Sequence, residues 1–197
     1  MPDTESILYK IDSGSALHLT GMTNKKFFMK KVILFIAISL DGYIASKDGS
    51  IDWLFTDSDY GTNAFMKSID TILMGRKTYE QAVEFGLDFY KGKKIYVFTK
   101  SKKLKAAEGC EIINEDVISF TKKLIKKKGK NIWLMGGGEL SSSFQKKNLI
   151  NEYSLFVHPI ILGEGIPLFK NLSKVSTLEL KSYKRFDSGL VRINYSK

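Results

Sequence analysis

The chain has 197 residues, 43% of them hydrophobic, with 31 Lys and Arg against 21 Asp and Glu and a formal net charge of +10. That length fits one domain with a proper core, and no apolar stretch approaches the roughly 18 residues of a membrane-spanning helix. The single Cys110 excludes an internal disulfide and fits a reducing, cytoplasmic setting; two histidines beside it do not readily make a structural zinc site; and the lysine excess, without an aromatic–basic stripe, reads as solvated surface rather than a nucleic-acid footprint.

Residues 1–28 mix Asp, Ser, Gly and Thr with scattered apolar residues and no clear period. They lack the basic and apolar regions of a signal peptide. Met22 and Met29 offer alternative starts, so this segment is expected to lie outside a core domain spanning 29–197.

Val32 to Ile38 is a continuous apolar run, the pattern of a strand buried on both faces. Ser39 to Ala45 turns and re-extends, and Asp48-Gly49 marks a tight turn. Ser58 to Lys67 reads as helix. Thr71 to Met74 is a second buried strand ending at Gly75, and a helix runs from Lys77 to Glu84. Strands follow at Lys94–Thr99 and Cys110–Ile113, where Cys110 reads as a core thiol. Val117, Phe120 and Leu124 have helical spacing within Asp116–Lys127. Ile132–Met135 is the fifth strand, Leu140–Lys146 a short helix, and Glu152–His158 another strand. Thr177–Phe186 and Leu190–Tyr195 flank Asp187-Ser188-Gly189 as a hairpin. The expected fold is therefore α/β: three layers, a mixed and mostly parallel central sheet, helices on both faces, and a C-terminal antiparallel hairpin.

Three strand ends carry groups suited to a phosphorylated ligand. At Gly136-Gly137-Gly138-Glu139-Leu140 an apolar run stops at glycines and a helix begins, leaving free N–H groups. This is not the dinucleotide fingerprint of a Rossmann domain, because position 141 is Ser rather than glycine and the turn lies late in the chain. At Gly75-Arg76-Lys77-Thr78 two cations open a helix, a poor choice for the helix itself and a good one for an anion. At Thr99-Lys100-Ser101 a strand ends in hydroxyl and cationic residues. Ligands gather at the carboxyl ends of strands in open sheets, so the three ends are expected to share one crevice. A tight Gly163-Glu164-Gly165 turn is expected beside its mouth.

The ordered set Ser39-Leu40-Asp41-Gly42-Tyr43-Ile44-Ala45, Met74-Gly75-Arg76-Lys77-Thr78-Tyr79, Gly136 to Leu140, and Pro159-Ile-Ile-Leu-Gly163-Glu-Gly165-Ile-Pro-Leu-Phe169 resembles the dihydrofolate reductase-like superfamily. Within it the chain is most similar to the reductase domain of the riboflavin-biosynthesis deaminase–reductase, over roughly residues 30–196. The resemblance implies NADPH as hydride donor. It implies that Gly75, Arg76, Lys77 and Thr78 hold cofactor phosphates, and that Thr99, Lys100 and Ser101 lie near the adenosine 2′-phosphate. It places Gly136, Gly137, Gly138, Glu139 and Leu140 along the pyrophosphate, often with a cis bond between the first two glycines. The Ser39–Ala45 segment would flank the nicotinamide, with Leu40 and Ala45 as backbone or packing contacts. The resemblance further implies a homodimer, with the strand edges near the hairpin as its contact.

On the substrate side the chain departs from the folate enzyme. Counting back from Phe65 to the position of that enzyme's acid gives Gly61, and Val157 stands where it usually offers a threonine. Asp59 is the candidate catalytic acid, with helix capping the competing role for it and for Asp57. Asp52, Trp53 and His158 are candidates for the substrate pocket; a lid or core anchor competes for Trp53, and a structural role for His158. The expected function is an NADPH-dependent reductase of the ribosylaminopyrimidine type or a stand-alone relative reducing another small heterocycle. Dihydrofolate reduction, a non-catalytic nucleotide-binding role, and a basic nucleic-acid binder are the competing readings.

Overall fold

A computed structural model describes residues 29–197; the expectation for residues 1–28 lies outside the described residues. In chain order the elements are β1 (Val32–Ile38), β2 (Tyr43–Ala45), α1 (Thr62–Ser68), β3 (Ile69–Gly75), α2 (Arg76–Phe85), β4 (Lys94–Phe98), β5 (Cys110–Ile113), α3 (Val117–Leu124), β6 (Asn131–Gly136), α4 (Gly138–Lys146), β7 (Glu152–Val157), β8 (Ile166–Pro167), β9 (Glu179–Arg185) and β10 (Val191–Ser196). A single 3-10 turn spans Asp88–Tyr90. No helix among the described residues is long and apolar enough to cross a membrane.

Eight strands form one sheet in the order β5-β4-β3-β6-β1-β7-β10-β9. β5 through β7 pair in parallel, and β10 pairs antiparallel with both β7 and β9. The continuous apolar runs of β1, β3 and β6 occupy the middle, where both faces are covered. On one face Leu34, Ile132, Leu134 and Tyr96 pack under Leu124 of α3 and Phe144 of α4. On the other, Ile33, Phe35, Ile72 and Trp133 pack under Met66 of α1 and Tyr79 and Ala82 of α2. The β2–β8 pair forms a separate two-stranded ribbon beside the strand ends.

Several boundaries differ from expectation, most by one or two residues. Helix α1 begins at Thr62 rather than Ser58, because Tyr60 and Gly61 have φ of 50° and 93°, a left-handed pair that no helix continues through. Helix α3 ends at Leu124 rather than Lys127, as the chain turns toward Gly129 at φ 146°. The hairpin's first strand begins at Glu179 rather than Thr177 and is exposed along its whole length. Half-buried Cys110 sits in β5, where burial pushes its thiol pKa up and keeps it protonated.

Beneath the sheet's N-terminal edges, Lys30 is buried and its ammonium meets the Asp70 carboxylate at 2.6 Å. Burial alone would raise the Asp70 pKa. Hydrogen bonds from Lys30, Thr71 and the Lys130 N–H outweigh it and hold the carboxyl below its ordinary value.

Candidate functional site

One cleft of about 1530 Å³ runs along the carboxyl ends of β1, β3, β4, β5 and β6. Drug-sized sites are usually about 300–1,000 Å³, so this cleft has room for a dinucleotide and a second ligand.

The glycine turns form its floor. Gly136 and Gly137 have φ of 103° and 84°, a conformation that side chains resist, and the chain enters α4 directly behind them. Among the described residues there is no cis peptide bond, so the Gly136–Gly137 link is trans, and the reversal is made by these two positive φ angles. Gly138 passes so close to β8 that an added Cβ would lie 2.4 Å from the Pro167 carbonyl oxygen. Thr78 donates its hydroxyl to the Gly136 carbonyl at 3.3 Å, tying the start of α2 to the end of β6. The Gly75 and Gly136 turns thus lie side by side, with the first turns of α2 and α4 opening on the same space.

Arg76 is exposed and its guanidinium contacts Glu80 one turn on at 2.7 Å, while Lys77 is solvated. A solvated i,i+4 pair is worth little, so Arg76 remains available to an anion. Thr99 and Lys100 line the neighbouring wall. Thr99 accepts from the Ser101 N–H at 3.0 Å, and Asn114 donates its amide to the Thr99 and Ser101 carbonyls. Ser101 itself lies behind this turn and does not line the cleft. Glu139 and Leu140 line it from the first turn of α4.

Ala45 is buried, pairs with Ile166, and lines the opposite wall with Ile44. Leu40 does not: it is 63% exposed. The reason is local. The Gly42 N–H closes a turn on the Ser39 carbonyl, and Asp41 accepts from Leu162 and Gly163, which turns Leu40 outward. The Ser39 hydroxyl, followed by those two N–H groups, holds the Asp41 carboxyl below its ordinary range despite some desolvation. The Gly163 turn sits at φ 74°, and the exposed Glu164 beside it meets Lys47 at 3.1 Å.

The far end of the cleft is built differently. The parallel register sets Ala37 beside Phe156, which directs Phe156 and His158 into the cleft and Val157 toward the opposite core. The pocket-facing residue at the end of β7 is therefore His158, not Val157. Its ring is buried and both nitrogens are engaged: Nε2 accepts from the Phe55 N–H at 3.2 Å, and Nδ1 lies 3.1 Å from the Phe156 carbonyl. That pattern fixes the neutral tautomer with hydrogen on Nδ1, and burial lowers the His158 pKa. Trp53 stacks edge-on against this imidazole, centroids 5.1 Å apart, and lies behind the wall as an anchor for the loop. Asp52 is exposed and accepts from Ser50. Asp59 is also exposed; its carboxylate accepts from the Gly61 and Asn63 N–H groups at the start of α1 and does not line the cleft.

Two sets of lining residues escaped the sequence reading. Phe35, Trp133 and Phe156 look like ordinary strand core, and they are core residues, with Phe65 of α1 packed on Phe35 and Trp133, that also reach the cleft. Asn114, Glu115 and Asp116 stand at the end of β5, a strand end with polar residues like the other three.

Comparison with known proteins agrees with this geometry. A family model of the RibD C-terminal domain matches residues 30–86 and 87–192. The uncharacterized protein YwjB of Bacillus subtilis (strain 168) is 42% identical over 170 residues, spanning 84% of this chain and 97% of that one. The crystal structure of a Shewanella sp. PV-4 protein named for riboflavin biosynthesis matches with a TM-score of 0.74 at 29% identity, over 84% of this chain and 98% of that one. A Thermotoga maritima diaminohydroxyphosphoribosylaminopyrimidine deaminase/5-amino-6-(5-phosphoribosylamino)uracil reductase shares the fold at a TM-score of 0.65 and 17% identity, over 85% of this chain and 56% of that one. With its dihydrofolate reductase-like sheet, its C-terminal hairpin and its match over nearly all the described residues, the chain belongs to the RibD C-terminal domain family of riboflavin-biosynthesis reductase-like proteins.

Proposed function

We propose that the protein is an NADPH-dependent reductase of a small heterocycle, of the riboflavin-pathway type. The observation that carries this reading is the paired turn at Gly75 and Gly136. Two helix N-termini open there on one cleft beside Arg76, Lys77 and Lys100, a cradle suited to a dinucleotide's phosphates. The residues fit the cofactor sterically as well, because the backbone at 136–138 carries no side chain that would hold a pyrophosphate away. NADPH supplies the hydride when bound.

The chain's own part is placement. Gly75, Arg76, Lys77 and Thr78 together with Gly136, Gly137 and Gly138 hold the phosphates, Thr99 and Lys100 face the adenosine end, and Ile44 and Ala45 bound the nicotinamide. The proton that must accompany hydride addition has the Thr62 hydroxyl as its source at the far end, since the Tyr60 hydroxyl is engaged by Asp57 and Ser188. Asp59, engaged at the α1 turn, is not positioned for the folate enzyme's acid role, which disfavours dihydrofolate as substrate. The exposed edge strand β9 is the proposed homodimer contact.

The test is consumption of NADPH, followed by nicotinamide absorbance, with the ribosylaminopyrimidine intermediate, its dephosphorylated form and dihydrofolate. Turnover of a pyrimidine faster than of dihydrofolate is expected. Dihydrofolate as the best substrate, or NADPH bound but unused by all three, overturns the reading.

A further inference from the structure

Resting on that reading, we infer that the substrate end of the cleft takes a planar ring without a phosphate, because its walls are aromatic and carry no cation. Phe35, Phe55, Tyr60, Tyr90, Trp133 and Phe156 surround this end. Their rings are mutually braced: Phe35 lies 4.6 Å from Phe156 and 5.9 Å from Trp133, both edge-on, and the Trp133 ring N–H donates to the Phe35 carbonyl at 2.8 Å. Phe65 of α1 stacks face to face on Phe35 at 3.9 Å and Arg192 lies over the Phe156 ring, so these two rings are held by their faces and meet a flat ligand with their edges.

Among the described residues that line it from β1, β6, β7 and the 51–62 segment, none is Lys, Arg, Asp or Glu. His158 adds no charge, since both its ring nitrogens are engaged in the neutral form. Along α2 the lining cations Arg76 and Lys77 of the first turn give way to Glu80, paired with Arg76, and then to Glu84, which repels an anion. Lys47, on the loop at the mouth, is paired with Glu164. Arg192 stands over Phe156, its Cζ 5.8 Å from the ring centroid, with Nη1 in the space beside Gly61, and it does not line the cavity. A dianionic phosphate drawn into this end loses water and gains no counter-charge from the lining, whereas an uncharged ring keeps its apolar and edge-on aromatic contacts and loses little. The other cations lining the cleft are Arg76, Lys77 and Lys100 at the cofactor end and Lys170, whose stem lies beside Gly138.

Riboflavin and flavin mononucleotide differ only by a terminal phosphate and report binding through quenched flavin emission. The protein is first saturated with NADP⁺, which closes the dinucleotide end; failure of NADP⁺ to bind is a failure of the cofactor reading and is seen before any flavin is added. With NADP⁺ bound, riboflavin is expected to bind at least tenfold tighter than flavin mononucleotide. The exposed Glu84→Lys variant is expected to narrow that gap through tighter binding of flavin mononucleotide. Equal or tighter binding of flavin mononucleotide overturns the inference, and loss of that binding in Arg192→Ala would locate the phosphate. Binding of neither flavin, or a gap untouched by Glu84→Lys, also overturns it.

Discussion

Replacing Gly138 by alanine sets two physical effects against each other. Gly138 is the first residue of α4 and has no left-handed φ, so helix propensity alone gives Gly138→Ala a gain of about 1 kcal/mol. The packing opposes it. The new Cβ would sit 2.4 Å from the Pro167 carbonyl oxygen and 3.6 Å from the Lys170 side chain. The closer of these atoms belongs to backbone, so β8 must move rather than a flexible side chain. Overpacking of this kind costs about 1–3 kcal/mol, and more where the neighbour is rigid. Taking the upper end and subtracting the helix gain leaves about 2 kcal/mol of net destabilisation. For a domain of this size that lowers Tm by about 4–8 °C. The displacement also travels. Pro167 pairs with Tyr43, and the Leu168 N–H donates to the Gly42 carbonyl, so β2 and the wall at Ile44 and Ala45 shift with β8. NADPH affinity should fall about tenfold with the Tm. Thermal unfolding and a fluorescence titration of the same preparation read both. A Tm that rises by the helix gain, with NADPH affinity intact, would refute the close approach of α4 to β8.

Lys100→Ala removes an exposed cation at the adenosine end. It should leave stability within about 0.5 kcal/mol, raise the Kd for NADPH about tenfold, and leave that for NADH unchanged, as parallel titrations would show. Asp70→Ala strands the buried Lys30 ammonium and should cost at least about 2 kcal/mol, a figure reduced because the Asp70 side chain is one-third exposed; urea denaturation checks it, and an unchanged midpoint would contradict the buried pairing. His158 has a folded pKa below its unfolded value of about 6.5. The unfolded chain therefore binds the proton more readily: the stability held by the neutral ring is complete above pH about 6.5 and is lost as pH falls from there toward the folded pKa. Tm measured from neutral to mildly acidic pH should drop in the native chain and drop less in His158→Phe. Removal of residues 1–28 should leave NADPH affinity unchanged; a large loss would place the start of the functional domain earlier.

Strand identity was legible wherever the chain is buried on both faces. The runs at Val32–Ile38, Thr71–Met74 and Ile132–Met135 have no polar alternation, and all three lie in the centre of the sheet. The glycine and cation strand ends were legible too, because their residue types serve backbone approach and charge, which act locally. What escaped depends on register and on loops. Nothing in Val157-His158 says which side chain faces the cleft; only the parallel pairing of Ala37 with Phe156 decides it. The outward direction of the Leu40 side chain is set by a hydrogen bond from Gly163, far along the chain, to Asp41. Asp59 has the right charge for an acid, but the left-handed Tyr60-Gly61 pair delays the helix and commits that carboxylate to the turn. The aromatic lining was invisible because Phe35 and Trp133 have the pattern of core residues, pack in the core against Phe65, and line the cleft as well.

The central claim is that the cleft at Gly75 and Gly136 binds a nicotinamide dinucleotide, with cations that favour the extra phosphate. The most direct measurement is titration of the purified protein with NADPH and with NADH, read by quenching of tryptophan emission and energy transfer to the nicotinamide. Trp133 lines the cleft and Trp53 stands just behind it. The account predicts saturable binding, tighter for NADPH, that weakens about tenfold in Arg76→Ala while Tm stays unchanged, since that residue's pairing with Glu80 is solvated. Absence of saturable binding by either nucleotide would contradict it.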